Sequence, residues 1–165
     1  LLMSLNHDKI EQVYLWTMGS FSAAVWVKVC YVAICEMVCL CVCIVLSKDL
    51  NLMAMGEETA QSLGIETARI RRILILVVSV MVAACVSVSG VIGFVGLVFP
   101  HIVRFLLGDD YRRILPGAIL GGGFFLMICD TLARTVTAPG ELPVGVLTAI
   151  VGAPYLILLI KKKLA

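Results

Sequence analysis

Residues 73–100 read ILILVVSVMVAACVSVSGVIGFVGLVFP, and no charged side chain interrupts them. A helix needs only about 20 apolar residues to cross the hydrocarbon core, so this run holds one full span and is too long for only one. Its glycines decide where it breaks. A span starting near Ile70 or Ile73 should end about Ser89, where VSVSG weakens the helix. Gly90, Gly93 and Gly96 then disfavour helix, at about 1 kcal/mol per interior glycine relative to alanine. The pattern predicts a non-helical stretch followed by a short helix from about Leu97 to Leu107 that carries Pro100 and His101. Irregular backbone at membrane depth survives only where protein or a water-filled cavity satisfies its polar groups.

The rest of the 165-residue chain has the same character. It is 61% hydrophobic and 15% charged, with a mean hydropathy of +1.08, against roughly 45–50% apolar and about 25% charged in soluble domains. This composition excludes a soluble globular enzyme and defines an all-α, polytopic membrane protein. Four further boundaries follow from charges and prolines. A first span is expected over residues 27–46, the short broken one over 90–107, another from about Pro116 to Arg134, and the last from Pro143 to Lys161, bent at Pro154. Five crossings result.

Ten of the thirteen basic residues (Lys48, Arg69, Arg71, Arg72, Arg104, Arg112, Arg113, Lys161, Lys162 and Lys163) fall on one side if these segments alternate, leaving Lys9, Lys28 and Arg134 for the other. The positive-inside rule makes the crowded side cytoplasmic. The chain starts Leu1-Leu2 without a cleavable signal pattern, and its polar residues 6–12 are placed outside; an upstream span or missing first half is therefore expected.

Residues 47–72 form the one substantial polar stretch, with four acids and four bases. Within it EETAQSLG, residues 57–64, reads as a short helix bracketed by Gly56 and Gly64. A charged helix of this length between two spans has no core of its own to bury, and is built to be received by another protein.

Few residues offer chemistry. Glu36 stands inside the first span, where insertion of a carboxylate costs roughly 2.5–3.5 kcal/mol; it is protonated, paired with a missing partner, or lines a water-filled path. Lys28 is two turns away, too far for contact. His101 has no second histidine at ligand spacing, so a structural, interhelical role stands ahead of a metal or proton role. The seven cysteines lie in apolar stretches without a CxxC pair and read as small buried side chains, with no metal site expected. Gly121-Gly122-Gly123 lacks the Lys-Ser/Thr of a phosphate loop. Gly117 and Gly121 form a GxxxG pair that permits close helix contact. Asp130 and Arg134 share a helix face at i,i+4, with Glu141 across a Pro-Gly turn; this is either a local ion-pair network or a docking point for an outside protein.

Taken together, LNLMAMGEETAQSLGI, SGVIGFVGLVFPHIVRFLLGDDYRRILPGAILGG, DTLARTV and ELPVGVLTAIVGAPYLILLIKK resemble the C-terminal half of permease subunits of ABC-type importers for iron-siderophores, haem and cobalamin. The resemblance runs from about Trp16 to Lys163. It implies the second half of a ten-span permease, dimeric with a second permease subunit, embedded in lipid in a prokaryotic inner membrane. It further implies an extracytoplasmic substrate-binding protein outside and an ATP-binding ABC subunit inside, with ATP and Mg held by that ATPase and no cofactor bound by this chain. The polar loop would form coupling helices that dock on the ATPase, through Leu52, Met55, Gly56, Glu57, Glu58, Ala60 and Gly64. Arg134, with Glu141, would receive the binding protein. Glu36, Gly93, Gly96, Pro100 and His101 remain structural or translocation candidates. No nucleic-acid partner is expected. The rival readings are half of an ion-coupled secondary transporter working through Glu36 or His101, and a membrane scaffold without transport.

Overall fold

The computed structural model describes residues 13–14, 16–22, 24–136 and 142–164, with side chains to residue 161. Among the described residues from Trp26 onward the helices run in the order α1 (Trp26–Val45), α2 (Ser47–Ala54), α3 (Glu57–Ser62), α4 (Thr67–Ser89), α5 (Val95–Leu107), α6 (Tyr111–Val136) and α7 (Val144–Leu164). Four of them, α1, α4, α6 and α7, are long and apolar enough to cross a membrane, while α5 is a shorter apolar helix. Among the described residues no strand occurs.

The helix ends fall where local chemistry puts them. Gly90 adopts φ +70 and stops α4, and the next helix begins at Val95, two residues earlier than the glycine spacing predicts. Thr67 starts α4 a turn earlier than expected, extending it to the polar loop. Pro116 does not open its helix. It lies inside α6, because Asp110 already caps that helix: its carbonyl accepts from the backbone N–H of Arg113 and Ile114 at 2.9 and 3.0 Å, and its Oδ1 from the N–H of Arg112 at 3.0 Å. A side-chain acceptor at that position satisfies a donor that has no intrahelical partner, and sets the start of the helix. Pro143 precedes α7 as expected, and α7 continues to Leu164 rather than ending at Lys161.

Packing divides the helices into two groups. α1 lies against α4; α5, α6 and α7 pack on one another. The α5–α6 contact is the GxxxG face in use: a Cβ on Gly117 would meet Val103 Cγ1 at 2.7 Å, one on Gly121 would meet Phe99 Cδ1 at 2.8 Å, and one on Gly122 would meet Val95 Cγ1 at 3.3 Å. Val95, Phe99 and Val103 are spaced by four, so one ridge of α5 lies in the glycine groove of α6.

Among the described residues, a junction joins the groups at each end. At the end away from the polar loop, the backbone of residues 19–20 threads between α4 and α7, with Ser20 N–H bonded to Ser89 O at 3.0 Å and Gly145 N–H to Gly19 O at 3.2 Å. Glycine is required here by contact: a Cβ on Gly90 would collide with Trp16 O, and one on Gly145 with Met18 O. Beside this junction Cys129, Ala133 and Val144 are buried together, with Phe21, Phe125, Leu126, Leu142 and Leu147 against them. At the other end α2 packs on α6. Elsewhere the helices keep apolar faces open, Trp26 at 83% and Phe105 at 82% exposure among them. Such faces need lipid or more protein around them, because a soluble monomer rarely leaves large contiguous apolar patches in water.

Candidate functional site

The polar stretch folds into a platform of two short helices at the end where α1 stops, α4 and α6 start, and α5 finishes. Ser47 begins it fully buried, its hydroxyl donating to Ile44 O at 2.6 Å, so α2 leaves α1 with almost no free linker. Gly56, at φ +130, makes the corner between α2 and α3, and its carbonyl accepts from Ala60 N–H at 3.0 Å. At the far end Gly64 N–H bonds to Gln61 O at 2.9 Å and Ile65 N–H to Ala60 O at 3.1 Å, with Gly64 at φ +85. This is the paired hydrogen-bond pattern of a glycine-terminated helix, in which the residue after the cap must be left-handed. Gly64 is therefore a cap and not an interior helical residue.

Side chains fix this platform to the spans. Glu57 Oε2 pairs with Arg71 at 3.0 Å, Thr67 Oγ1 donates to Glu57 Oε1 at 3.2 Å, and Gln61 Nε2 donates to Thr67 Oγ1 at 3.2 Å. Ala60 is fully buried and Thr67 nearly so, beneath this network. On α2, Asn51 Nδ2 donates to Asp110 Oδ1 at 2.8 Å while Asn51 Oδ1 accepts from the backbone N–H of Tyr111 at 2.9 Å. These hydrogen bonds, first from Asn51 and then from the Arg112 N–H, hold the Asp110 carboxyl below the ordinary aspartate range.

The expected residues thus separate by position. Ala60 is core, Glu57 faces α4, and Gly56 and Gly64 shape the helix ends. Leu52 is half-buried, whereas Glu58 is exposed and Met55 is 73% exposed. Sequence reasoning passed over Asn51, Thr67, Arg71 and Asp110. Asp110 carried a legible signal as an acid just before a helix start. Asn51 carried none, since its partners lie 59 and 60 residues away.

The remaining candidates are scattered. Glu36 accepts from Cys85 Sγ at 3.4 Å, across the α1–α4 contact, so this carboxyl has a neighbour within the chain. His101 is exposed to a cleft of about 580 Å³ between α5 and α7, shared with Arg104, Phe105, Asp109 and Tyr155. Arg104 is committed there: it pairs with Asp109 at 3.2 Å and lies over the Tyr111 ring at 5.6 Å. Pro100 sits inside α5 and deprives the Gly96 carbonyl of its intrahelical donor. Gly93 and Gly96 have open space where a Cβ would stand. Arg134 Nε binds Asp130 Oδ2 at 2.9 Å, the i,i+4 pair expected, while Glu141 lies outside the described residues. Among the described residues, no three His, Cys, Asp or Glu side chains gather as a metal group would require.

Four helices of membrane-spanning length and apolarity with a platform of short polar helices at one end define a polytopic membrane protein. The chain belongs to the FecCD transport family, whose model matches residues 1–162. It is 42% identical over 159 residues to the hemin transport system permease protein HmuU of Yersinia pestis, covering 96% of this chain and 47% of that protein. Against the Fe(3+) dicitrate transport system permease protein FecC of Escherichia coli it is 33% identical over 163 residues, covering 99% of this chain and 49% of that one. The cobalamin import system permease protein BtuC of Halobacterium salinarum is 40% identical over 156 residues, with 94% and 42% covered. A solved metal-chelate type ABC transporter in an inward-facing conformation superposes with a TM-score of 0.86 at 34% identity, over 98% of this chain and 52% of that one. The chain spans about half the length of the relatives it matches.

Proposed function

We propose that this chain is the second half of a ten-span permease subunit in an ABC importer that moves a ferric siderophore or similar metal chelate inward. In this reading α1, α4, α6 and α7 cross the membrane, α5 is the broken fifth crossing, and the basic end is cytoplasmic. ATP and Mg belong to a partner ATP-binding subunit that docks on α2 and α3. The permease carries no covalent chemistry: the ATPase moves the platform, and the spans rock to open the pathway to either side in turn. A second permease subunit completes the cavity, and an extracytoplasmic binding protein delivers cargo near Arg134.

The observation that carries this reading is a platform tied to the spans but presenting an outward face with Met55, Glu58 and Leu63 exposed, in a chain whose family match runs almost end to end. A secondary transporter has no use for such a surface. Hemin, Fe(3+) dicitrate and cobalamin relatives support the class of cargo.

The test uses the complete transporter reconstituted with its ATPase. Glu58→Lys reverses charge on the exposed face, which mainly alters association, and Gly64→Pro cannot adopt the left-handed cap. Both are expected to reduce ATPase co-purification and binding-protein-stimulated hydrolysis while insertion stays normal. Wild-type values for both variants would remove the platform from the coupling role.

A further inference from the structure

Among the described residues, α6 touches both regions that the proposed function assigns to partners. Its first turn is bonded to the platform through Asn51, and near its last turn it carries the Asp130–Arg134 pair. Its 26 residues span roughly 39 Å at 1.5 Å per residue. The bond at its start also belongs to the junction between the helix groups on the platform side. We infer that Asn51 is a positioning residue that couples displacement of α2 to α6, so that the ATPase-side platform and the outer end bearing Arg134 move as one element.

The geometry favours transmission over simple attachment. Asn51 uses its amide N–H on Asp110 and its amide oxygen on the Tyr111 N–H, so it holds the helix cap from two directions. Asp110 in turn receives Arg112, Arg113 and Ile114 N–H groups. A shift of α2 therefore acts on the first turn of α6 itself, where hydrogen bonds within the helix resist local deformation. By contrast, the Glu57–Arg71 pair is 49% and 58% exposed and can re-form in other geometries.

This inference rests on the coupling reading, and its test separates the two. In the complete transporter reconstituted with ATPase and binding protein, Asn51→Asp sets two carboxylates against each other. It should preserve ATPase co-purification and basal hydrolysis but lower stimulation by the binding protein at least about fivefold, the size of a modest coupling energy. The double variant Asn51→Asp with Asp110→Asn removes the repulsion and restores one amide–carboxylate hydrogen bond between the two positions, although the Arg112 N–H loses the Oδ1 it shared, and should recover part of the stimulation. Tyr111→Pro removes the other N–H at a first helical position that tolerates proline, and is compared with Tyr111→Ala, which keeps it; stimulation should fall further in the proline variant. Unchanged stimulation in Asn51→Asp, or equal values for the two Tyr111 variants, overturns the inference. Loss of co-purification in Asn51→Asp overturns it too, because Asn51 would then belong to the ATPase surface. A wild-type transporter that fails to recruit the ATPase overturns the coupling reading itself, and this inference with it.

Discussion

Asn51 and Asp110, 59 positions apart, are joined at 2.8 Å, and through that bond the short polar helix after the first span holds the cap of the sixth helix. The cap is charged, local and outside the spans, so it responds to pH in a defined direction.

Asp110 has its carboxyl lowered in the folded state. A group lowered on folding contributes stability above its unfolded value, near pH 4 for an aspartate, and loses it as pH falls through the folded value. Asp110→Asn keeps an acceptor for Asn51 and Arg112 but does not titrate. Thermal unfolding of the solubilised protein should run parallel for wild type and variant from about pH 7 to about pH 5, with wild type losing stability faster only below about pH 4. Parallel curves through the acid range would show that Asp110 is not held as described.

The glycines divide by what their missing Cβ would strike. Gly145 and Gly152 face Met18 O and the Phe94 side chain too closely for any larger residue, and overpacking costs typically about 1–3 kcal/mol, more where the neighbour is backbone. Gly145→Ala and Gly152→Ala should both destabilise the fold, because the nearest atoms, Met18 O and Phe94 Cβ, are held by the backbone and cannot swing aside. Gly96→Ala, into open space in a helix, should keep the fold or gain up to about 1 kcal/mol. Melting temperatures of the purified chain would rank the three, and a ranking with Gly96→Ala lowest would refute the packing described.

In the platform network, burial outranks charge. Arg71→Ala removes a half-exposed ion pair worth about 0.2–1 kcal/mol. Thr67→Val removes a nearly buried hydroxyl that donates to Glu57 and accepts from Gln61, two bonds of about 0.5–1.5 kcal/mol each. Hydrogen exchange of the α3 amides should accelerate more in Thr67→Val than in Arg71→Ala. Greater acceleration in Arg71→Ala would make the ion pair the principal tether.

At the opposite end, Arg134 is half-exposed and its pair with Asp130 adds little to stability. Arg134→Glu should leave the melting temperature within about 2 °C of wild type, an effect below about 1 kcal/mol for a chain of this size, while slowing association of the binding protein. Asp130→Asn should not slow it. Association rates measured by surface plasmon resonance on the complete transporter decide this, and an unchanged rate for Arg134→Glu would leave the pair as a local ion bridge only.

What the sequence determined by itself is what depends on neighbours along the chain. The membrane class, the break after Ser89, the short fifth helix, the GxxxG face and the Asp130–Arg134 pair all follow from hydropathy, glycine cost and helical periodicity, which act over one to seven residues. The family likeness was legible too, because its motifs are local strings. The start of α6 at Tyr111 was missed by giving Pro116 more weight than the Asp110 cap.

Only the tertiary structure decided which polar residues meet. Asn51 finding Asp110, Thr67 and Arg71 finding Glu57, and Cys85 finding Glu36 each depend on helices brought together by packing, with 10 to 60 residues between partners. Periodicity assigns a side chain to a face of its own helix; it carries no information about which other helix that face meets. The same limit applies to glycine. Gly96 and Gly145 are indistinguishable in sequence, and only the backbone of residue 18 lying against one of them makes it indispensable.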